Sequence, residues 1–258
     1  SPIPPLPANA PYRPVLPDET FVKIWKKNIA TGAAPGSTGF TGDHALPLLA
    51  DPDCLRGLAY IVELIRNGIL DQRCRDLLIS CPLVAVPKPE NGVRPITIGE
   101  SLYKMAAVHA LKEVLGDALD ILGPDQFALQ PGGSEVAATL LKALSETHTL
   151  APTDLRNAFN EVDRGDMLRI LYANERLAPI FRLVHWSYST PASLNIFAND
   201  GSLLATILSI CGARQGDPFA GLIFSLCLVD AIVSAKEAAG PEVKVIAIMD
   251  DVTFCGPT

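Results

Sequence analysis

The sequence is short of positive charge. Lys and Arg number 21 against 28 Asp and Glu, which leaves a formal net charge of -7 and a pI near 5.1. A protein that grips nucleic acid unaided usually carries a basic face, so this balance speaks against a self-sufficient nucleic-acid binder. Cysteine is present without metal-ligand spacing: Cys54, Cys74, Cys81, Cys211, Cys227 and Cys255 form no C-x-x-C pair. With no secretory signal at the start, free thiols in a reducing, intracellular compartment are expected. No run reads as a bilayer span. The most apolar stretch, Phe219 to Ala235, is short for that purpose and contains Asp230, so a buried core helix and no membrane contact are expected. The Gly-rich loop Thr31–Gly42 lacks a Lys-Ser or Lys-Thr after its glycines, which excludes a nucleotide-binding P-loop.

What is present is enough apolar chain for a sizeable core. The 258 residues are 48% hydrophobic with a mean hydropathy of +0.26, which fits one large domain or two small ones. Ser1–Pro17 is too rich in proline for regular structure and reads as an extended arm. Helical periodicity marks Phe21–Ile29, His44–Ala50, Cys54–Asn67, Gln72–Ser80, Ser101–Leu122, Asp166–Ala173 and Leu177–Tyr188. Glu135–His148 is a further predicted helix, capped by Ser134. Two hairpins are marked by turn residues: Leu83–Val86 with Val93–Ile98 around Asn91–Gly92, and Ser193–Phe197 with Leu203–Ile210 around Asn199–Gly201.

A third hairpin, Val243–Cys255, carries the chemistry. Apolar β-branched runs flank Asp250–Asp251, which the pattern places together at the tip. Adjacent carboxylates beside an apolar sheet repel, and burial disfavours their ionisation. A divalent cation removes that cost, and Mg²⁺ accepts carboxylate oxygens while leaving positions open for phosphate. A solvated Asp-Asp turn is the plainer alternative. Likewise Lys88 and Arg94, at the first hairpin, read either as solvated cations or as partners for a triphosphate.

The order of the motifs favours the chemical readings. Asp154-x-x-x-Ala-Phe159, then Arg214-Gln-Gly-Asp-Pro218, then Asp250–Asp251, with Lys88 and Arg94-Pro-Ile upstream, resembles a reverse transcriptase. The match runs from about Ala34 to Phe254 and is to the fingers and palm of non-LTR, target-primed retrotransposon enzymes; group II intron enzymes are more distant. The resemblance implies an α+β right-hand polymerase: an arm at 1–20, helical fingers with a β-hairpin at 21–150, and an antiparallel palm sheet at 151–258, without a thumb. It implies an RNA-directed DNA polymerase that adds dNTPs to a primer 3′-hydroxyl, with an RNA template, a DNA primer and a nuclear location. Two Mg²⁺ ions, replaceable by Mn²⁺, would sit on Asp154, Asp250 and Asp251 with the carbonyl of Leu155. Lys88 and Arg94 would meet the β- and γ-phosphates, Gln215 and Gly216 would shape the nucleotide pocket, and Phe159 would exclude a 2′-hydroxyl. Two departures stand out. Ile248 replaces a frequent aromatic, and Pro152 falls inside an expected central strand, where proline is disfavoured. A reverse-transcriptase-like domain turned into a binding scaffold is the competing reading.

Overall fold

The structure, a computed structural model, describes residues 1–87, 92–153, 155 and 157–257. Lys88 and Asp154, two of the sequence candidates, lie outside the described residues.

The core is built around one long helix. Helices α1 (Glu19–Asn28), α2 (Gly42–Leu48), α3 (Pro52–Arg66) and α4 (Gln72–Ile79) precede α5 (Ser101–Leu122). Asp18, Asp51 and Asp71 start three of them by accepting hydrogen bonds from first-turn amides. Ala106, Ala107, Ala110 and Ala118 of α5 are wholly buried. Their small side chains let α1, α3 and, from later in the chain, α9 (Ala178–Tyr188) and α10 (Ala220–Ala239) approach α5 from different sides.

The proline-rich arm is held down rather than free. Residues 1–17 form no helix or strand, yet Ala10 and Val15 are buried. Asn67 brackets Arg13, accepting from its N–H at 2.8 Å and donating to its carbonyl at 2.9 Å. Glu63 accepts from the Val15 amide at 2.8 Å, and Arg182 donates to the Ala10 carbonyl at 3.0 Å. Side chains of α3 and α9 thus satisfy backbone groups that no ladder reaches.

Two helices depart from expectation. The predicted Glu135–His148 helix is α6, Gly133–Leu144, and its N-cap is Gly132 at φ 67° rather than Ser134. A Cβ on Gly133 would lie 2.0 Å from the Phe127 carbonyl, so only glycine permits the helix to begin there. It ends early because His148 is needed in strand β3 (His148–Thr153). Helix α10 is also not buried throughout. Its first turns, Ala220 to Leu226, are in the core, but beyond them only Ile232 is buried and Val233 is 46% exposed. There the helix lies over a sheet on one side and meets solvent on the other.

Between α6 and α10 come α7 (Ala158–Glu161), α8 (Arg164–Tyr172), a 3₁₀ turn at Glu175–Leu177, and α9. Among the described residues, two sheets complete the α+β fold. In the first, the order is β2-β1-β4-β5. Strands β1 (Cys81–Pro87) and β2 (Val93–Thr97) pair antiparallel from Leu83↔Thr97 to Pro87↔Val93. The second predicted hairpin, β4 (Ala192–Phe197) and β5 (Leu203–Ser209), extends that sheet through a short parallel pairing, Cys81↔Leu194. The other sheet has the order β3-β7-β6, with β6 at Lys244–Ile248 and β7 at Asp251–Pro257. It is antiparallel throughout.

Pro152 keeps its place in the register, opposite Thr253 of β7. Strand β3 is an edge strand among the described residues rather than a central one, the position in a sheet where proline is tolerated.

Candidate active site

The turn that presents the carboxylates sits one residue earlier than expected. Ile248 pairs with Asp251, so the two-residue turn is Met249–Asp250, and Asp251 opens β7. The pleat explains the shift. Val245, Ala247 and Val252 face Ile232 of α10, whereas Ile246 and Ile248 face Phe127 and Ala137. Moving the turn by one residue would send each set to the wrong side. Met249 takes the strain, with φ at 55° in the left-handed region that side chains rarely adopt.

The carboxylates border a cavity of about 730 Å³ lined by residues from distant parts of the chain. Arg94 comes from β2, Phe159 from α7, Gln215 and Gly216 from the loop before α10, and Asp250 and Asp251 from the hairpin; Leu155 completes the rim. Every sequence candidate among the described residues therefore lines one cavity. Asp154 and Lys88 are outside those residues, but Thr153 pairs with Val252, which brings β3 up to the strand that begins at Asp251.

The loop carrying Gln215 rests on a buried ion pair. Arg214 donates to Asp217 Oδ2 at 2.7 Å, and both side chains are only 2% exposed. Arg214 also donates to the Ser187 carbonyl at 3.0 Å and lies 4.4 Å from the centre of the Tyr188 ring. Asp217 accepts in addition from Tyr103 Oη at 2.8 Å and from the Phe219 amide at 2.9 Å. With its oxygens so occupied, the buried carboxylate is fully compensated. Burial, with Asp217 next to it, holds the Tyr103 phenol well above its ordinary pKa, so that group stays a donor. Gly216, at φ +111°, is where loop and strand touch: a Cβ would lie 2.3 Å from the Thr97 carbonyl. Thr97 at the end of β2 donates to the Gln215 carbonyl from its amide at 2.8 Å and its hydroxyl at 2.7 Å. The strand bearing Arg94 and the loop bearing Gln215 are thereby one rigid wall.

Phe159 plays two parts at once. It stacks on Phe224 with ring centres 4.4 Å apart, yet it also lines the cavity. Its packing in the core and its place at the site are not alternatives. Asn157, Met249, Thr97 and Gln126 do not stand out as site residues in the sequence. Asn157 adopts φ 55° beside α7, and asparagine's tolerance of that conformation is the one local signal that could draw attention to it. Nothing local marks Thr97, Met249 or Gln126.

For metal binding, Asp250 and Asp251 at the rim offer hard carboxylate oxygens, which suit a hard divalent cation. Among the described residues, no group of three or more His, Cys, Asp or Glu side chains forms a metal-binding cluster. No helix among them is long and apolar enough to cross a membrane.

Helices and a hairpin-bearing sheet closing over an antiparallel sheet with a carboxylate hairpin define a right-hand polymerase core. The telomerase from Candida tropicalis, solved in complex with the TWJ fragment of telomeric RNA, shares this fold. Its TM-score is 0.50 at 11% identity, covering 70% of this chain and 36% of that one. Residues 86–258 match the family described as reverse transcriptase (RNA-dependent DNA polymerase), and the chain belongs to that family. It is also 29% identical over 239 residues to the retrotransposable element SLACS 132 kDa protein of Trypanosoma brucei gambiense. The two sequence similarities together support a reverse transcriptase domain of the non-LTR retrotransposon type. The match covers 93% of this chain but only 20% of that relative, so the chain spans about a fifth of its length.

Proposed function

We propose that this cavity is the nucleotide-addition site of an RNA-directed DNA polymerase, taking a dNTP against a primer 3′-hydroxyl and an RNA template. The observation that carries this reading is the convergence of Arg94, Phe159, Gln215, Asp250 and Asp251 on one cavity. In this reading residues 21–150 act as fingers and 151–258 as palm, with 1–20 tied to both through Glu63 and Asn67 on one side and Arg169 and Arg182 on the other, and the enzyme works in the nucleus.

Asp250 and Asp251, with Asp154 and the Leu155 carbonyl, would hold Mg²⁺, and Mn²⁺ could replace it. The bound metal would make the primer hydroxyl more acidic and offset charge on the phosphates. The chain's own groups do the positioning. Arg94, joined by Lys88, draws the triphosphate by charge, and its planar fork can pair with phosphate oxygens. Gln215 and Gly216 form a surface that cannot give way, because Thr97 braces it. Phe159 cannot retreat from a bulkier sugar because Phe224 lies behind it. The two acidic side chains also keep the hairpin tip unattractive to phosphate until a cation is bound.

Asp250→Ala should abolish primer extension on an RNA template while leaving the melting temperature close to that of the parent protein. Extension by Asp250→Ala at the parent rate would remove this site from the chemistry.

A further inference from the structure

The turn that carries Asp250 has an unfavourable backbone and a dedicated partner outside the motifs. Gln126 lies in the segment between α5 and α6, far from the hairpin in sequence, and is 2% exposed. The main chain on either side of it is laced to β6: Ala247 N–H donates to the Asp125 carbonyl at 2.8 Å, and Phe127 N–H donates to the Ala247 carbonyl at 2.8 Å. That parallel bridge delivers the Gln126 side chain to the turn. Its Oε1 accepts from the Met249 amide at 2.8 Å and from the Ala128 amide at 3.2 Å. Its Nε2 donates to the Met249 carbonyl at 3.4 Å. Two N–H donors meeting one side-chain atom fix which end of the amide is oxygen.

Met249 is thus gripped on both of its backbone polar groups, and it is the residue whose φ is positive. In the hairpin ladder neither group finds a strand partner, since Ile248 already pairs with Asp251. Without Gln126 the turn would lose the contacts that favour the left-handed conformation, and methionine would relax toward negative φ. A rotation there swings Asp250, the next residue, away from the cavity. Met249 is also confined on its side-chain end: its Cε lies where a Cβ on Gly221 would be only 2.9 Å away.

We propose that Gln126 is the positioning residue of the carboxylate hairpin, holding Met249 in its left-handed conformation so that Asp250 and Asp251 face the cavity. This rests on the assignment of Asp250 to nucleotide addition. Gln126 does not line the cavity and acts only through Met249.

The test is primer extension by the protein on an RNA template, with three changes. Gln126→Met keeps the side chain's length and apolar stem but removes its hydrogen bonds. It should lower kcat by about 10- to 100-fold, as small misplacements of reacting groups do. The KM for dNTP should stay within about twofold, because the wall formed by Arg94 and Gln215 is untouched. Adding Met249→Gly, which makes positive φ free of strain, should recover about tenfold of the loss. A residue that served only to fill space would show no such rescue. Wild-type kcat in Gln126→Met, or a double variant no better than the single one, overturns the proposal. Asp250→Asn separates the two levels. If that variant extends primers normally, the site assignment itself fails; if it is dead while Gln126→Met is fully active, only the positioning role fails. Should Gln126→Met not fold, amide hydrogen exchange at Met249 in the unaltered protein decides. Protection supports the clamp, and exchange at the rate of an open turn refutes it.

Discussion

At the scale of single residues, the site depends on side chains that have lost the freedom to move. Phe159 is the clearest case. A phenylalanine at a cavity wall can be displaced by an incoming hydroxyl if there is space behind it. Here Phe224 occupies that space at a ring separation of 4.4 Å. Displacing a well-packed ring costs about 1–3 kcal/mol. In the proposed role, that cost corresponds to a sugar preference of about 10- to 100-fold from this one contact. Phe159→Ala should therefore raise ribonucleotide incorporation relative to dNTP incorporation by about that factor in competition assays. An unchanged ratio would reduce Phe159 to a core residue. Asp217 and Arg214 show the same economy of motion below the surface. Neither reaches the cavity as a free charge; their pairing with Tyr103 and Ser187 fixes the loop above them.

At the scale of elements, the decisive contact is between β2 and the loop before α10. These segments are more than a hundred residues apart, and they meet through Thr97, Gln215 and Gly216. The geometry leaves no room for a methyl group at position 216. Gly216→Ala combines a strained φ with a collision against backbone and should cost about 2–4 kcal/mol of folding stability. A denaturant titration would measure this, and dNTP affinity should fall in parallel because Arg94 and Gln215 would separate. A stable Gly216→Ala variant with unaltered dNTP affinity would show that the wall is not a single unit. The edge position of β3 belongs to the same scale. It puts Pro152 on a strand of the kind that tolerates proline, and it places an exposed strand where the ladder stops.

At the scale of the whole molecule, charge is the governing constraint. Affinity for a phosphate backbone comes largely from Lys and Arg contacts, and each contact adds to the salt dependence. With 21 such residues against 28 acids, this chain has little basic surface to offer. It should bind primer–template weakly on its own, and binding should weaken steeply as salt rises to about 0.15 M, where the screening length is near 8 Å. A fluorescence anisotropy titration checks this. Nanomolar binding at that salt would mean that the fold gathers its few cations onto one face far better than their number implies.

Much of this protein is legible in its amino-acid sequence. Ser101–Leu122 is α5 to the residue, because a long apolar periodic run between a capping Glu100 and a terminating Gly123 leaves no competing choice. The order of the carboxylate, Gln-Gly and Asp-Asp motifs points to the family through resemblance, and the described residues of those motifs line one cavity. Local sequence does not place what depends on partners far away. The turn at Met249–Asp250 is set by which face of the hairpin meets α10 and which meets Phe127. The setting of Pro152 is decided by the edge position of β3 among the described residues, and the fixing of Met249 by an amide contributed from residue 126. Sequence by itself determined most of the helices and the hairpins, since these follow from periodicity and turn residues, and the order of its motifs pointed to the family. Tertiary structure alone decided register, edge and orientation, since these are properties of pairs of segments and no single segment contains them.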